Sequence, residues 1–220
     1  MGPTVALMAS QIDHLVLAGT NLAALVDEVA ERFDSTPVPG GPHPGRGTRN
    51  ELVGLGGRRY LELIGPDPEQ PSPAGPRQFG IDAITEPTLV AWCARPTRPL
   101  DDIVAEASAA GFDLGPIAAM SRRRPDGVLL EWNLTFPQLA TPDEGTVPFL
   151  IDWGDSPHPS DSLPRGVELL DLTLGNPDPD RLRAVLAIVG EFPEVAVVRA
   201  DRPTLHALLR TPNGEVDLRS

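Results

Sequence analysis

The feature that most constrains this chain is a layout that recurs along it: a strand, an amphipathic helix, then more strands. The first copy runs from about residue 11 to 65. Gln11 to Leu17 reads as a strand, and Gly19-Thr20-Asn21 supplies a helix start. Leu22, Leu25, Val26, Val29, Ala30 and Phe33 then fall on one helical stripe. Pro37 to Gly47 reads as a Pro/Gly loop, followed by strands at Arg49 to Leu55 and Arg58 to Ile64 around a Gly56-Gly57 turn. The proline-rich stretch 66–86 reads as an ordered or semi-rigid connector.

The second copy spans about 87–155. Its strand is Thr88 to Arg95 and its helix Leu100 to Ala110, with Pro99 before it and Gly111 after it. Strands are expected at Gly115 to Arg122, Val128 to Thr135 and Val147 to Trp153, with a turn at Pro125-Asp126-Gly127. The third copy spans about 166–220: a strand at Val167 to Leu174, a helix capped by Asp178 with Pro179 at its first position, and strands at Glu194 to Arg199, Thr204 to Thr211 and Glu215 to Leu218. Three β-α-β-β-β units at a period of roughly 75 residues imply packing on a common sheet, because a lone unit covers only one sheet face with its helix. The expectation is an α+β fold whose repeated units form a curved, barrel-like mixed sheet around a cavity.

Composition narrows the chemistry. The 220 residues carry a formal net charge of −13, which argues against nucleic acid and anionic membrane as partners. All 18 basic residues are arginine, so lysine Schiff bases and a phosphate-loop lysine are excluded. The one cysteine, Cys93, excludes an internal disulfide and reads as an inert buried thiol. No apolar run is long enough for a membrane span, and Met1 to Ser10 lacks the basic start of a signal peptide, so the cytoplasm is the expected location.

Strand alternation selects the candidate site. His14 shares a face with Val16, and Glu62 shares one with Tyr60 and Ile64, while Leu15, Leu17, Leu61 and Leu63 suit the helix side. An imidazole and a carboxylate then face the cavity, a pair suited to a divalent metal or to acid–base work. His43 lies in the Pro/Gly loop, and Arg49 and Asn50 could offer donors to an anionic or carbonyl ligand. Trp92, Trp132 and Trp153 on strands read either as core or as an aromatic cavity wall. His158 and His206 read as structural, and Arg122-Arg123-Arg124 as a solvated hairpin end.

The runs Ile12-Asp13-His14-Leu15-Val16-Leu17, Gly40-Gly41-Pro42-His43-Pro44-Gly45-Arg46-Gly47-Thr48-Arg49-Asn50, Tyr60-Leu61-Glu62-Leu63 and Pro148-Phe149-Leu150-Ile151-Asp152-Trp153-Gly154, with His158-Pro159, resemble the glyoxalase-like branch of the vicinal oxygen chelate superfamily. The resemblance covers most of 11–160. It implies paired units around a cavity and, in metal-dependent members, a divalent ion (Zn, Fe, Mn, Ni or Mg) held by His and Glu ligands, with a carboxylate moving the proton. On this chain it marks His14 and Glu62 as ligands and Glu62 as the catalytic carboxylate. The second unit offers no matching ligand, since Val90 to Trp92 and Ile151 fall at those positions. The third offers Asp171 and Asp217. If units one and three pair, those four residues form a site; if units one and two pair, half of it is lost. Substrate-binding candidates are His43, Arg49, Asn50, Trp92 and Trp153. Lyase, isomerase or dioxygenase chemistry on a small oxygenated molecule is one expectation. The alternative is metal-free binding of a small molecule without catalysis. A homodimer is the expected protein partner.

Overall fold

The structure, a computed structural model, describes residues 11–124, 127–136 and 145–220. The elements in chain order are β1 (Gln11–Ala18), α1 (Leu22–Phe33), β2 (Val38–His43), β3 (Thr48–Gly54), β4 (Tyr60–Pro66), β5 (Thr88–Arg95), α2 (Leu100–Ala109), β6 (Ile117–Arg123), β7 (Leu129–Thr135), β8 (Phe149–Asp152), β9 (Glu168–Asn176), α3 (Pro179–Val189), β10 (Val195–Arg199), β11 (Thr204–Thr211) and β12 (Gly214–Arg219). The helices start where their caps dictate. The Asn21 side chain accepts from the Ala24 amide, and the Asp178 side chain accepts from the Arg181 amide with Pro179 following. Residues 125 and 126 of the expected Pro125-Asp126-Gly127 turn lie outside the described residues.

Eight strands form one sheet in the order β2-β3-β4-β1-β5-β8-β7-β6. β1 runs parallel to β4 and antiparallel to β5, and β5 runs parallel to β8. Units one and two therefore pair through β1 and β5. The edge strands β2 and β6 come into contact, so the sheet curls almost into a barrel. β2 is a strand where the sequence suggests a loop. Its Pro39 and Pro42 are tolerated because β2 is a sheet edge, where a missing N–H leaves no ladder bond unmade.

The third segment departs from the expected repeat. Its element order is the same, but its four strands form a separate sheet in the order β10-β9-β11-β12. β9 pairs directly with β10 and β11, whereas β1 pairs with the last strand of its own unit. This second sheet does not face the cavity. It packs on the outer side of the barrel, where Leu172, Leu174 and Leu205 join α1, α2 and α3 in one apolar cluster. Trp92 belongs to that cluster and is fully buried; its indole N–H donates to the Thr146 carbonyl at 2.8 Å, and its ring meets Phe192 edge-on. Among the described residues, no helix is long and apolar enough to cross a membrane.

Candidate functional site

Strand alternation puts His14 and Glu62 on the cavity face of the sheet. Leu15, Leu17, Leu61 and Leu63 pack beneath the helices, and Val16, Tyr60 and Ile64 belong to the inner cluster. His14 stands opposite Tyr60 in the parallel β1–β4 register, two rungs from Glu62 along that face. The barrel encloses a cavity lined by His14, His43, Asn50, Glu62 and Trp153 from the expected set. Its wall includes Phe79, Trp132, Phe149 and Ile151. Phe79 comes from the proline-rich connector and is held at φ 58, ψ 21, a conformation that costs a non-glycine residue roughly 1 kcal/mol or more.

Asp13 organises the floor, and sequence reading gave it no role. Simple alternation would send its side chain toward the helices. A β-bulge intervenes: Ile12 pairs with Ala94 and His14 with Cys93, leaving Asp13 as the extra residue. Its carboxylate is fully buried. Oδ1 lies 2.8 Å from His14 Nδ1. Oδ2 accepts from Arg95 Nη1 at 3.2 Å, from Trp153 Nε1 at 3.1 Å and from His158 Nε2 at 3.0 Å. Burial alone would raise the Asp13 pKa, but the bonds from His14 and His158 overcome it and hold the carboxyl well below its usual range. The loop residue His158 thus belongs to the site's support. Its Nδ1 accepts from the Ser160 amide, which leaves Nε2 as the donor to Asp13.

The same logic fixes His14. Facing an ionised carboxylate, Nδ1 carries the proton, and Nε2 points to the cavity group Glu62, 3.7 Å from Oε2. Tyr60 stacks on the imidazole at 4.6 Å and 16°, which sets the ring plane. On the other side of Glu62, Oε1 accepts from Asn50 Nδ2 at 2.5 Å, and His43 Nε2 stands 3.6 Å away. Burial pushes the His43 pKa down, partly offset by the Glu62 charge.

Arg122 is the second residue the sequence reading misplaced. It is 7% exposed, so it is no solvated hairpin end. It lies on β6 opposite Leu130, and its Nη1 crosses the β6–β2 seam to donate to Asn50 Oδ1 on β3 at 2.7 Å. Gly40 on β2 makes room for this bond. A Cβ there would sit 2.1 Å from Asn50 Oδ1 and 2.8 Å from Arg122 Nη1. The period-2 pattern of β6, with Met120 and Arg122 inward and Ser121 and Arg123 outward, is the signal that could have found it.

Four candidates lie elsewhere. Arg49 points to Asp67 and Glu69, 3.6 Å from each, outside the cavity. Trp92 faces the outer core because it pairs with Leu15, on the helix side of the sheet. Asp171 and Asp217 are on the second sheet and line no part of the cavity. Asp171 accepts from Thr173, and Asp217 is bonded to His206. Because units one and two pair, the four-ligand set His14, Glu62, Asp171 and Asp217 is not assembled.

The remaining metal-type cluster also falls short. Among the described residues, the group of three with mutually close ligand atoms is Asp13, His14 and Cys93. Both Asp13 oxygens already accept from protein donors, whose hydrogens would oppose a cation. Burial, then the Asp13 and Glu62 charges, push the Cys93 thiol well up, away from the thiolate a metal needs. Phe149 and Ile151 occupy the cavity face of β8, across from Glu62. His14 Nε2 and Glu62 Oε2 make two ligands, and His43 Nε2, on the other oxygen of Glu62, does not complete a mutually close group of three with them, whereas catalytic sites for such ions usually draw on three. The residues present do not fit a resident divalent ion of that kind.

A family profile described as "Glyoxalase-like domain" matches residues 12–190. No curated protein matches the sequence. Among solved structures, a hypothetical protein from Staphylococcus aureus superposes with a TM-score of 0.57 at 13% identity, covering 96% of this chain and 85% of that one. Methylmalonyl-CoA epimerase from Mycobacterium tuberculosis gives a TM-score of 0.41 at 15% identity over 69% of this chain and 90% of that one. A Streptomyces coelicolor methylmalonyl-CoA epimerase in complex with 2-nitronate-propionyl-CoA gives 0.44 at 18% identity, over 69% and 100%. With the profile spanning most of its length and two paired units closing one curved sheet, the chain belongs to the glyoxalase-like family of the vicinal oxygen chelate superfamily.

Proposed function

We propose that the cavity binds a small oxygenated molecule and moves a proton at a carbon next to its carbonyl, an isomerase-type reaction carried by protein groups alone. The observation behind this reading is the Asp13–His14 pair. A buried carboxylate on Nδ1 fixes the tautomer and leaves Nε2 as the basic atom in the cavity. In the forward step the C–H bond breaks, its proton goes to His14 Nε2, and the electron pair moves onto the carbonyl oxygen. Asp13 stabilises the imidazolium that forms without itself taking the proton, since its four donors hold it ionised. Glu62 stands 3.7 Å from Nε2, within reach of the same substrate atoms, and relays the proton to its new position. An apolar and aromatic wall lines the space in which the enolate-like intermediate forms.

The test is deuterium wash-in. A panel of 2-oxo acids, 2-hydroxy carbonyls and 1,2-dicarbonyls is incubated with the protein in deuterated buffer and followed by proton NMR. Loss of an α-proton signal above the buffer rate is expected for at least one class, abolished in His14→Gln and kept after chelator treatment. Exchange at the buffer rate across the panel, or exchange unchanged in His14→Gln, would overturn the reading.

A further inference from the structure

Within an acidic chain, the cavity wall carries an excess of positive charge. Its ionised lining groups among the described residues are Arg46, Arg122 and Glu62, so two guanidiniums face one carboxylate, on a protein of net charge −13. Neither arginine is in an ion pair with a carboxylate among the described residues. Arg46 lies with its guanidinium carbon 4.1 Å above the Phe136 ring, and among the described residues its Nη2 has only the Met120 sulfur at 3.8 Å. Arg122 donates one bond, to the neutral Asn50 oxygen.

A second observation is independent of charge. Two buried side-chain nitrogens have no hydrogen-bond partner among the described residues: Arg122 Nε and Trp132 Nε1. Both belong to residues that line this cavity, and Arg122 also borders a second pocket beside Gly40, Leu52 and Leu130. Buried donors are nearly always satisfied, so two of them on residues of one shared lining call for acceptor atoms, which a ligand in that cavity can supply. Water could satisfy the neutral indole, but it does not neutralise two guanidiniums. A carboxylate does both, with two oxygens for several N–H donors.

We infer that Arg46, Arg122 and Trp132 form a carboxylate-binding subsite, so that the ligand is a small organic acid with an apolar or planar body. The body lies against Phe79, Phe149 and Trp153. This rests on the proposed function only in placing the ligand in the same cavity. It deepens that reading by naming the substrate class: a carbonyl compound that also carries a carboxylate. Arg49, the arginine the sequence offered for this task, is occupied by Asp67 and Glu69.

The test compares three probes by isothermal titration: phenylacetate, its neutral isostere phenylacetamide, and inorganic phosphate. Phenylacetate is expected to bind at least about tenfold tighter than the amide, the ratio expected of one charge-assisted bidentate contact. That ratio collapses toward one in Arg46→Gln, a part-buried position whose thermal melt, read alongside, checks that the variant is folded. Trp132→Phe, which removes the N–H and keeps an aromatic ring, weakens the acid more than the amide. Equal binding of acid and amide, a preference unchanged in Arg46→Gln, or phosphate binding as tightly as phenylacetate would each overturn the assignment. His14→Gln separates the two proposals. A preference for the acid that survives there, with no proton exchange on any substrate in the wild type, removes the proton-transfer reading and leaves the subsite. Proton exchange on neutral carbonyls with no preference for acids removes the subsite alone.

Discussion

Replacing Asp13 by Asn removes one charge and changes almost no volume, which makes it a sharp probe of the floor network. The carboxylate accepts from His14, Arg95, Trp153 and His158. The amide has a single acceptor oxygen. With its NH2 at the Oδ2 position it would oppose three donors; at the Oδ1 position it opposes one, and His14 can answer by moving its proton to Nε2. The second arrangement wins, so Asp13→Asn should reverse the His14 tautomer and lose the cavity base. Leaving Arg95 without its buried counter-charge should cost about 3 kcal/mol, the low end for breaking a buried ion pair. For a chain of this size that is a drop of roughly 6–12 °C in Tm at pH 7. The pH dependence has a definite sign. Because folding depresses the Asp13 pKa, its contribution is complete above the unfolded value of about 3.9 and is lost as pH falls toward the folded one. The Tm gap between wild type and variant should therefore stay constant from pH 7 to about 5 and narrow below 4. Thermal melts across this range give the gap. Nitrogen-15 correlation spectra of the histidines give the tautomers: Nδ1–H for His14 and Nε2–H for His158 in the wild type, with His14 reversed in the variant. A Tm loss under about 2 °C, a gap that widens in acid, or His14 with Nε2–H in the wild type would refute the reasoning.

Gly40→Ala should break the Arg122–Asn50 bond without replacing either residue, since its Cβ would lie 2.1 Å from Asn50 Oδ1. Overpacking of this kind costs about 1–3 kcal/mol; an unaltered melt, together with unaltered acid binding, would show that the bond does no work. Dialysis against a chelator should leave Tm and ligand affinity unchanged. A resident ion at 100 times its Kd would add about 2.7 kcal/mol, so a clear fall in Tm would restore the case for one.

Local elements were legible because their signals are local. The α1 stripe, the Asn21 and Asp178 caps, the whole of β5 and β11, and the split of β1 and β4 into a leucine face and a His/Glu face follow from periodicity and short-range hydrogen bonding. What stayed hidden depends on partners far along the chain. The bulge that turns Asp13 inward is a property of β1 against β5, invisible in β1 alone. Arg122 looked like part of a solvated basic run because Arg123 and Arg124 sit beside it, and only closure of β6 on β2 makes its position an interior one. β2 escaped because its glycines answer to that same side chain. Trp92 and Trp153 are alike by pattern, yet pairing with Leu15 sends one to the dry outer core, while a bond to Asp13 holds the other in the wall. The third segment repeats an order of elements that two different strand orders satisfy, and the chain uses both.

The cost of the floor network bears on its purpose. The eight-stranded sheet buries both faces, and its outer face shows what stability alone would select: leucines against three helices and a second sheet. On the inner face the chain instead buries an aspartate with two histidines and an arginine beside it, then a glutamate tied through an asparagine to a second arginine. Removing charges of this kind from water costs several kcal/mol per ion before their mutual attraction returns any of it, and apolar packing of the same volume is often at least as stable. A fold that needed only to close its barrel would have no physical reason to place them there. Within the network the groups are not equivalent. Asp13 is saturated and sealed beneath the floor, whereas His14 Nε2, Arg122 Nε and Trp132 Nε1 have no close partner among the described residues at the cavity. Spent groups below and open groups above are the arrangement of a scaffold that orients a reactive surface, and it is the open groups that a ligand must complete.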